Sequence, residues 1–232
     1  MKTSTVFRLL TSAAPRAKAL ALVLLSASLA GSLLAQEPCP EVATFATGLL
    51  APSKIIQTPH GNFLVAEAGP QVPNNGRVSI VDEDGNCRTL LDGLPSARTF
   101  VGDFNGTTGL ELRGRTLFVL NGQGDVKAAG PFPGTERANP TPSSPIFSSV
   151  LAVHFSTSME EKTTGVTLTL ADHQALKAGQ RPIRADAQGR RMVIELVADF
   201  PDYAPDPRPN FADNFRHSHP YGVVGHVVTW AI

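Results

Sequence analysis

Cysteine and the large polar aromatics are scarce in this chain: its 232 residues include two Cys, one Trp and two Tyr. Two cysteines cannot build the dense disulfide framework of a small secreted scaffold. With no C-x-x-C and no second pair, they do not spell a zinc site either. A charge excess is also missing. Twenty Lys and Arg balance twenty Asp and Glu, and the two signs are interspersed. This removes the electrostatic footprint of a nucleic-acid or anionic-lipid binder. No run after residue 34 is long and apolar enough to span a bilayer. No G-x-S-x-G surrounds Ser143, Ser144, Ser148 or Ser149, so these hydroxyls lack a nucleophile elbow. No catalytic motif is left, and the sequence speaks more clearly about architecture than about chemistry.

Turn formers are abundant, with 20 Gly and 19 Pro, which suits many short strands better than long helices. The N-terminus carries Lys2, Arg8, Arg16 and Lys18 without an acidic residue, followed by the apolar run Ala19–Leu34. Such a charged region before an apolar one reads as a signal peptide over residues 1–35, cleaved after Ala30 or Ala35. At about 16 residues the run is short for a membrane anchor, which needs about 20. The mature part is expected to be secreted or periplasmic, without membrane attachment, and large enough for one domain with a core. Cys39 and Cys87 would then sit where disulfides persist. Their pairing is one expectation and two free thiols the other.

Pro59 to Pro95 reads as a β-meander. Three β-rich runs, Asn62–Ala66, Arg77–Val81 and Cys87–Leu91, are separated by Gly, Pro, Asn and Asp. Asp84-Gly85 marks a tight hairpin between the last two. One such unit cannot bury both faces and needs neighbours of its kind. Upstream, Val42–Leu50 and Ser53–Gln57 read as strands. Downstream, Arg98–Gly102 reads as a short strand or link. Gly109–Arg113 and Arg115–Asn121 form a hairpin around Gly114 whose TLFVL echoes FLVAE at a spacing of about 55 residues. Gly124–Pro145 reads as an exposed loop within an insertion of about 124–215. Inside that span Ile146–Phe155 and Gly165–Leu170 suit strands, Ala171–Gly179 a short helix, and Arg191–Phe200 either class. Pro201–Pro209, with Pro201, Pro205, Pro207 and Pro209, is expected to be irregular.

These segments together resemble the ScyD/ScyE family of secreted proteins, related in shape to NHL and SMP-30 propellers. The resemblance is carried by GLLAPSKIIQTPHGNFLVAEAG (48–69), GRVSIVDEDGNCRTLLDGLPS (76–96), LRGRTLFVLNGQGDV (112–126), SSPIFSSVLAVHF (143–155), VADFPDYAPDP (197–207) and HSHPYGVV (217–224). It implies an all-β fold: part of a β-propeller of four-stranded antiparallel blades filling residues 36–232. Family members continue into further blades, so the chain is expected to be C-terminally truncated, with open edges prone to self-association. The function implied is an exported, non-enzymatic binding or accessory protein for an unknown small molecule or protein. The alternative is a metal-dependent hydrolase of the SMP-30 lactonase type, and a divalent cation enters only with it.

For that alternative the metal candidates are Glu67, at the end of FLVAE, with Asp103 and Asn105. Gly102–Gly106 (GDFNG) resembles the opening of a calcium repeat, but Thr107 and Thr108 stand where a further acidic ligand belongs, which favours a turn. Asp82–Gly85 (DEDG) lacks the distal Glu of a calcium loop and reads as a hairpin turn. His217, His219 and His226 lack a carboxylate at fixed spacing and read as solvent-facing or hydrogen-bonded. His154 alternates with apolar residues and reads as a strand residue rather than a general base. No catalytic residue is assigned. Asn105-Gly106-Thr107 is a glycosylation sequon only in a eukaryotic host.

Overall fold

A computed structural model describes residues 43–133 and 135–202 in full, together with the backbone of 205–208 and 211–217. Residues 1–35, expected as a signal peptide, Cys39, His219 and His226 lie outside the described residues, and of His217 only the backbone is described. Over the described residues the chain is all-β in class, with two helices. Two five-stranded sheets dominate, and neither closes on itself.

The first sheet is a meander of β1 (Pro52–Gln57), β2 (Phe63–Glu67), β3 (Gly76–Val81) and β4 (Cys87–Leu94). Its neighbours run antiparallel, as short Gly- and Asp-containing loops require. The Asp84-Gly85 hairpin forms as its sequence dictates. Gly85 takes φ +81°, and the Asp82 carboxylate accepts from the Asp84 and Asn86 amides at 3.1 and 2.9 Å. β5 (Ala97–Arg98) and β6 (Phe104–Asn105) make a small ladder between the sheets in sequence.

The second sheet repeats the pattern with β7 (Thr107–Arg113), β8 (Thr116–Asn121), β11 (Ser149–Phe155) and β14 (Arg191–Asp199). Two of these strands, β11 and β14, lie inside the span 124–215 expected as an insertion. The inserted pieces are the segment between β8 and β11 and the segment between β11 and β14. One holds the hairpin β9 (Lys127–Ala129) and β10 (Glu136–Ala138). The other holds α1 (Thr157–Lys162), β12 (Val166–Thr167), α2 (Leu170–Lys177) and β13 (Ile183–Ala185). β12 joins the first sheet in parallel beside β4, and β13 joins the second beside β14. The helix expected near residue 171 is α2, closed at its start by a capping box between Thr169 and Asp172.

The two meanders match in their irregularities. The β1–β2 register shifts between Pro52 and Lys54, and the β7–β8 register between Thr107 and Gly109. Pro52 lies opposite Glu67, and Thr107 opposite Asn121. The β3–β4 register shifts again between Val78 and Ser79, and β11–β14 between Val150 and Leu151. Bulges are position-specific features, so their recurrence places Glu67 and Asn121, and Arg77 and Ser149, at equivalent sites of one repeated unit.

One core joins the sheets. Leu64, Ala66, Val78 and Ile80 of the first pack in a cluster with Leu110, Leu117, Val119, Leu151, Val153 and Ile194 of the second, sealed by Met159 of α1 and Leu176 of α2. Alternation along β2 and β3 sends Val65, Glu67, Arg77 and Ser79 to the opposite, outer face.

Three expectations need correction. Gly124–Pro145 is not an exposed loop throughout: it holds the β9–β10 hairpin, with Val126, Lys127 and Thr135 buried. Val42–Leu50 is not a strand over its described residues: 43–49 carry no ladder and run as an extended strap across that outer face. The proline stretch is not irregular throughout. Pro205–Arg208 (β15) pairs antiparallel with Phe211–His217 (β16), with Pro205 opposite His217 and Pro207 opposite Phe215. Proline is tolerated there because each strand of a two-stranded ribbon has a free edge for the missing donor.

Candidate functional site

The outer face of the first sheet carries the site, and the strap shapes it. Phe45 meets Phe63 edge to face at 5.9 Å. The Cys87 thiol donates to Thr47 O at 3.3 Å, and Arg77 Nη2 donates to Gly48 O at 2.8 Å. The Leu50 amide donates to Glu67 Oε2. At the corner into β1, Ala51 adopts φ +53°, a left-handed conformation uncommon outside glycine. The Gly69 and Ala68 amides hold that corner by donating to Leu50 O and Ala51 O at 3.1 and 3.0 Å. A side chain at Gly85 would collide with Phe45 O, so glycine there serves both the hairpin and the strap.

Glu67 is the anchor. It is 0% exposed. Oε1 accepts from Arg77 Nε at 2.9 Å and from Ser79 Oγ at 2.5 Å, and Oε2 accepts from Arg77 Nη2 at 2.8 Å and from the Leu50 amide. Four donors use the lone-pair capacity of a carboxylate. The other two candidates for a metal have separate settings. Asp103 is exposed, its carbonyl closing a turn with the Thr99 amide at 2.7 Å. Asn105 Oδ1 accepts from the Gly124 amide at 3.4 Å. Among the described residues, no three His, Cys, Asp or Glu side chains gather as a metal site. Thr107 of the sequon is fully buried.

Beside the strap opens a cleft of about 500 Å³, lined by Thr47, Gly48, Arg77, Ser79, Gly85, Asn86, Cys87, Arg88 and Thr89. Its lining has two arginines and no carboxylate. Hydroxyls, an amide and the exposed Cys87 thiol supply the rest. Burial, with the nearby Glu67 charge, pushes that thiol above its usual range, which keeps it protonated and weakly nucleophilic.

Two buried networks fix the frame behind this face. Glu160 of α1, 0% exposed, accepts from Thr58 Oγ1 at 2.6 Å, Asn62 Nδ2 at 3.1 Å and Arg115 Nη1 at 2.6 Å. Arg88 Nη2 donates to its carbonyl at 2.7 Å. Burial alone would raise the Glu160 carboxyl. The bonds from Thr58, Arg115 and Asn62 outweigh it and hold the group below its usual range. On α2, His173 is 0% exposed, and its Nε2 lies 2.8 Å from Gly93 O. A carbonyl only accepts, so Nε2 carries the proton, and Nδ1 accepts from Ser144 Oγ at 3.0 Å. Burial lowers the His173 pKa, outweighing Gly93 and Asp172, and keeps the ring neutral. A sealed Ser–His pair of this kind pins α2 to β4 and to the loop before β11.

His154 stands in β11 as its alternation predicts. Its Nδ1 lies 2.9 Å from Thr116 Oγ1 and its Nε2 3.0 Å from Glu195 Oε1. Sequence reasoning overlooked the Glu160 and His173 networks, whose partners lie up to 102 residues apart. The one local trace was Ser156 before α1, whose hydroxyl accepts the Met159 amide as an N-cap. Comparison with known proteins finds no matching family model, no matching curated protein and no matching solved structure.

Proposed function

We propose that this chain is an exported, non-enzymatic binding protein, its two meanders being blades of a propeller-type repeat as the ScyD/ScyE resemblance suggests. It takes a small anionic or acceptor-rich ligand in the strap-side cleft. The observation that carries this reading is the division of labour at Glu67. The Glu67 carboxylate beside the cleft spends all four acceptor sites on Arg77, Ser79 and Leu50. The cleft is thereby preformed, and its lining presents donors and two arginines but no carboxylate, Arg77 being paired with Glu67 and Arg88 with Asp82 outside the lining. The recurrent bulges and stacked sheets support the repeat.

The lactonase alternative would need Glu67 as a metal ligand, and its saturation by donors weighs against that role. The test is calorimetric titration of the full chain with a panel of small carboxylates and inorganic phosphate, beside Asn86→Leu and Thr89→Val. Saturable binding weakened at least tenfold by either variant is expected. Absence of binding across the panel, or lactone turnover abolished by chelation, would overturn the proposal.

A further inference from the structure

An asparagine followed by glycine is the setting in which a side-chain amide closes most readily on the main chain. The missing Cβ lets the next backbone nitrogen approach the asparagine Cγ. The sequence has three such pairs, Asn75-Gly76, Asn105-Gly106 and Asn121-Gly122. The fold treats them differently.

Asn121 is locked. It is 1% exposed, in a strand paired on both sides. Its Nδ2 donates to Ser149 Oγ at 3.0 Å. The nitrogen that would attack it, Gly122 N, already donates to Gly106 O at 2.8 Å. Asn105 is half-buried, and its Oδ1 accepts from the Gly124 amide at 3.4 Å. The same oxygen packs over Gly122, where a side chain would collide with it, and Gly106 packs against Ser96 and Ala68. Both members of this pair are held.

Asn75 differs in each respect. It is exposed, and its side chain makes a single hydrogen bond, Nδ2 to Pro73 O at 3.3 Å. Gly76 is the first residue of β3, where the ladder to β4 shifts register before Val78. The loop ahead of it holds two non-glycine residues in the left-handed conformation, Gln71 and Asn74, both at φ +57°. An exposed loop under such strain opens locally at small cost.

We propose that Asn75 is a site of spontaneous covalent modification, closing to a succinimide with Gly76 and hydrolysing to aspartate and isoaspartate. Gly76 N loses its proton to hydroxide and attacks Asn75 Cγ. The N–Cγ bond forms, the Cγ–Nδ2 bond breaks, and the amide leaves as ammonia, taking its proton from water. Water then opens the ring. Opening at Cγ gives aspartate, and opening at the backbone carbonyl gives isoaspartate with an extra methylene in the main chain. One water is consumed and one ammonia released, with no oxidation or reduction.

The modification strikes a junction. Asn75 N donates to the buried Ser96 Oγ at 3.0 Å, Asn74 N to Ser96 O at 2.8 Å, and Asn74 Nδ2 to Ser143 O at 2.7 Å. Asn75 O lies over Gly69 with no room for a side chain between them. A methylene added here displaces these groups and loosens the β2–β3 loop from the segments before β5 and β11. The inference is independent of the ligand assigned to the cleft.

Peptide mapping of the full chain after incubation in mildly alkaline buffer, with isoaspartate labelled enzymatically, tests it. A parallel incubation in urea is the unfolded reference. In the folded chain Asn75 is expected to convert at least about tenfold faster than Asn105 and Asn121, and in urea the three rates are expected to converge. Asn75→Gln lengthens an exposed side chain, so its melting temperature is expected to stay within a few degrees of the parent. That variant is expected to lose the isoaspartate from the peptide ending at Arg77. Equal folded rates at the three sites, no conversion at Asn75, or an undiminished isoaspartate yield from that peptide in Asn75→Gln would each overturn the proposal.

Discussion

Replacing Glu67 by Ala should detach the strap while leaving the sandwich standing. The side chain is fully buried and binds four donors from three places: the guanidinium of Arg77, the hydroxyl of Ser79 and the amide of Leu50. The substitution leaves Ser79, itself 2% exposed, without its acceptor. It also leaves Arg77 without its counter-charge. Arg77 is partly relieved, because its side chain is 22% exposed and keeps Gly48 O. The cost then lies below that of a fully buried orphan ion, at about 2–4 kcal/mol. In a domain of this size that is a fall in melting temperature of about 5–15 °C. Glu67→Gln keeps one carbonyl acceptor but turns an NH₂ group toward donors, and should recover less than half of the loss. Urea unfolding supplies the energy, and amide exchange supplies the location. Leu50 and Gly69 should lose protection, while Leu64 and Val119, in the core strands, keep theirs. A loss under about 1 kcal/mol with Leu50 protection unchanged would refute the reasoning.

Other outcomes follow from the same networks. Glu160, held below its ordinary pKa, contributes stability that is complete above the usual carboxylate range and lost as pH falls through its depressed folded value, so Glu160→Gln should flatten the acid limb of a stability–pH curve. Asp202 behaves in the opposite sense. Burial, with Asp199 adding to it against Lys177 and Ser148, raises it to about 6. Its charge costs stability progressively as pH rises from the unfolded value to about 6, and Asp202→Asn should gain on the order of 1–2 kcal/mol at pH 7 by denaturant titration and nothing at pH 4. His173 is depressed, so its neutral form favours the fold above the ordinary histidine range and that support fades as pH drops below it. His173→Phe should remove this dependence while exposing the cost of leaving Gly93 O and Ser144 unpaired, about 1–3 kcal/mol.

The first meander was legible because its information is local. Asp84-Gly85, the Gly-Asn before β2 and the alternation in Arg77–Val81 are signals within a few residues. The helix at α2 was legible for the same reason, with a capping acid at its start and Gly179 beyond its end. The strap was misread because VATFATGLL has strand composition. Its backbone partners are single groups on Glu67, Arg77 and Cys87 rather than a neighbouring ladder, and propensity does not see that difference. The role of Glu67 was not legible either. An acidic residue closing an apolar strand looks the same whether it waits for a metal or is saturated by an arginine ten residues away. The Glu160 and His173 networks depend on pairings across 29 to 102 residues that only the folded topology brings together.

The account stands on two meanders stacked so that Leu64, Val78 and Ile80 of the first meet Leu117, Val119 and Leu151 of the second. Methyl–methyl nuclear Overhauser contacts in the labelled chain test this most directly. The account predicts contacts from the Leu64, Val78 and Ile80 methyls to the set Leu117, Val119 and Leu151, and from the Val65 methyls only to their own sheet and the strap. Val65 in contact with Val119 or Leu151, and Leu64 silent toward them, would contradict it.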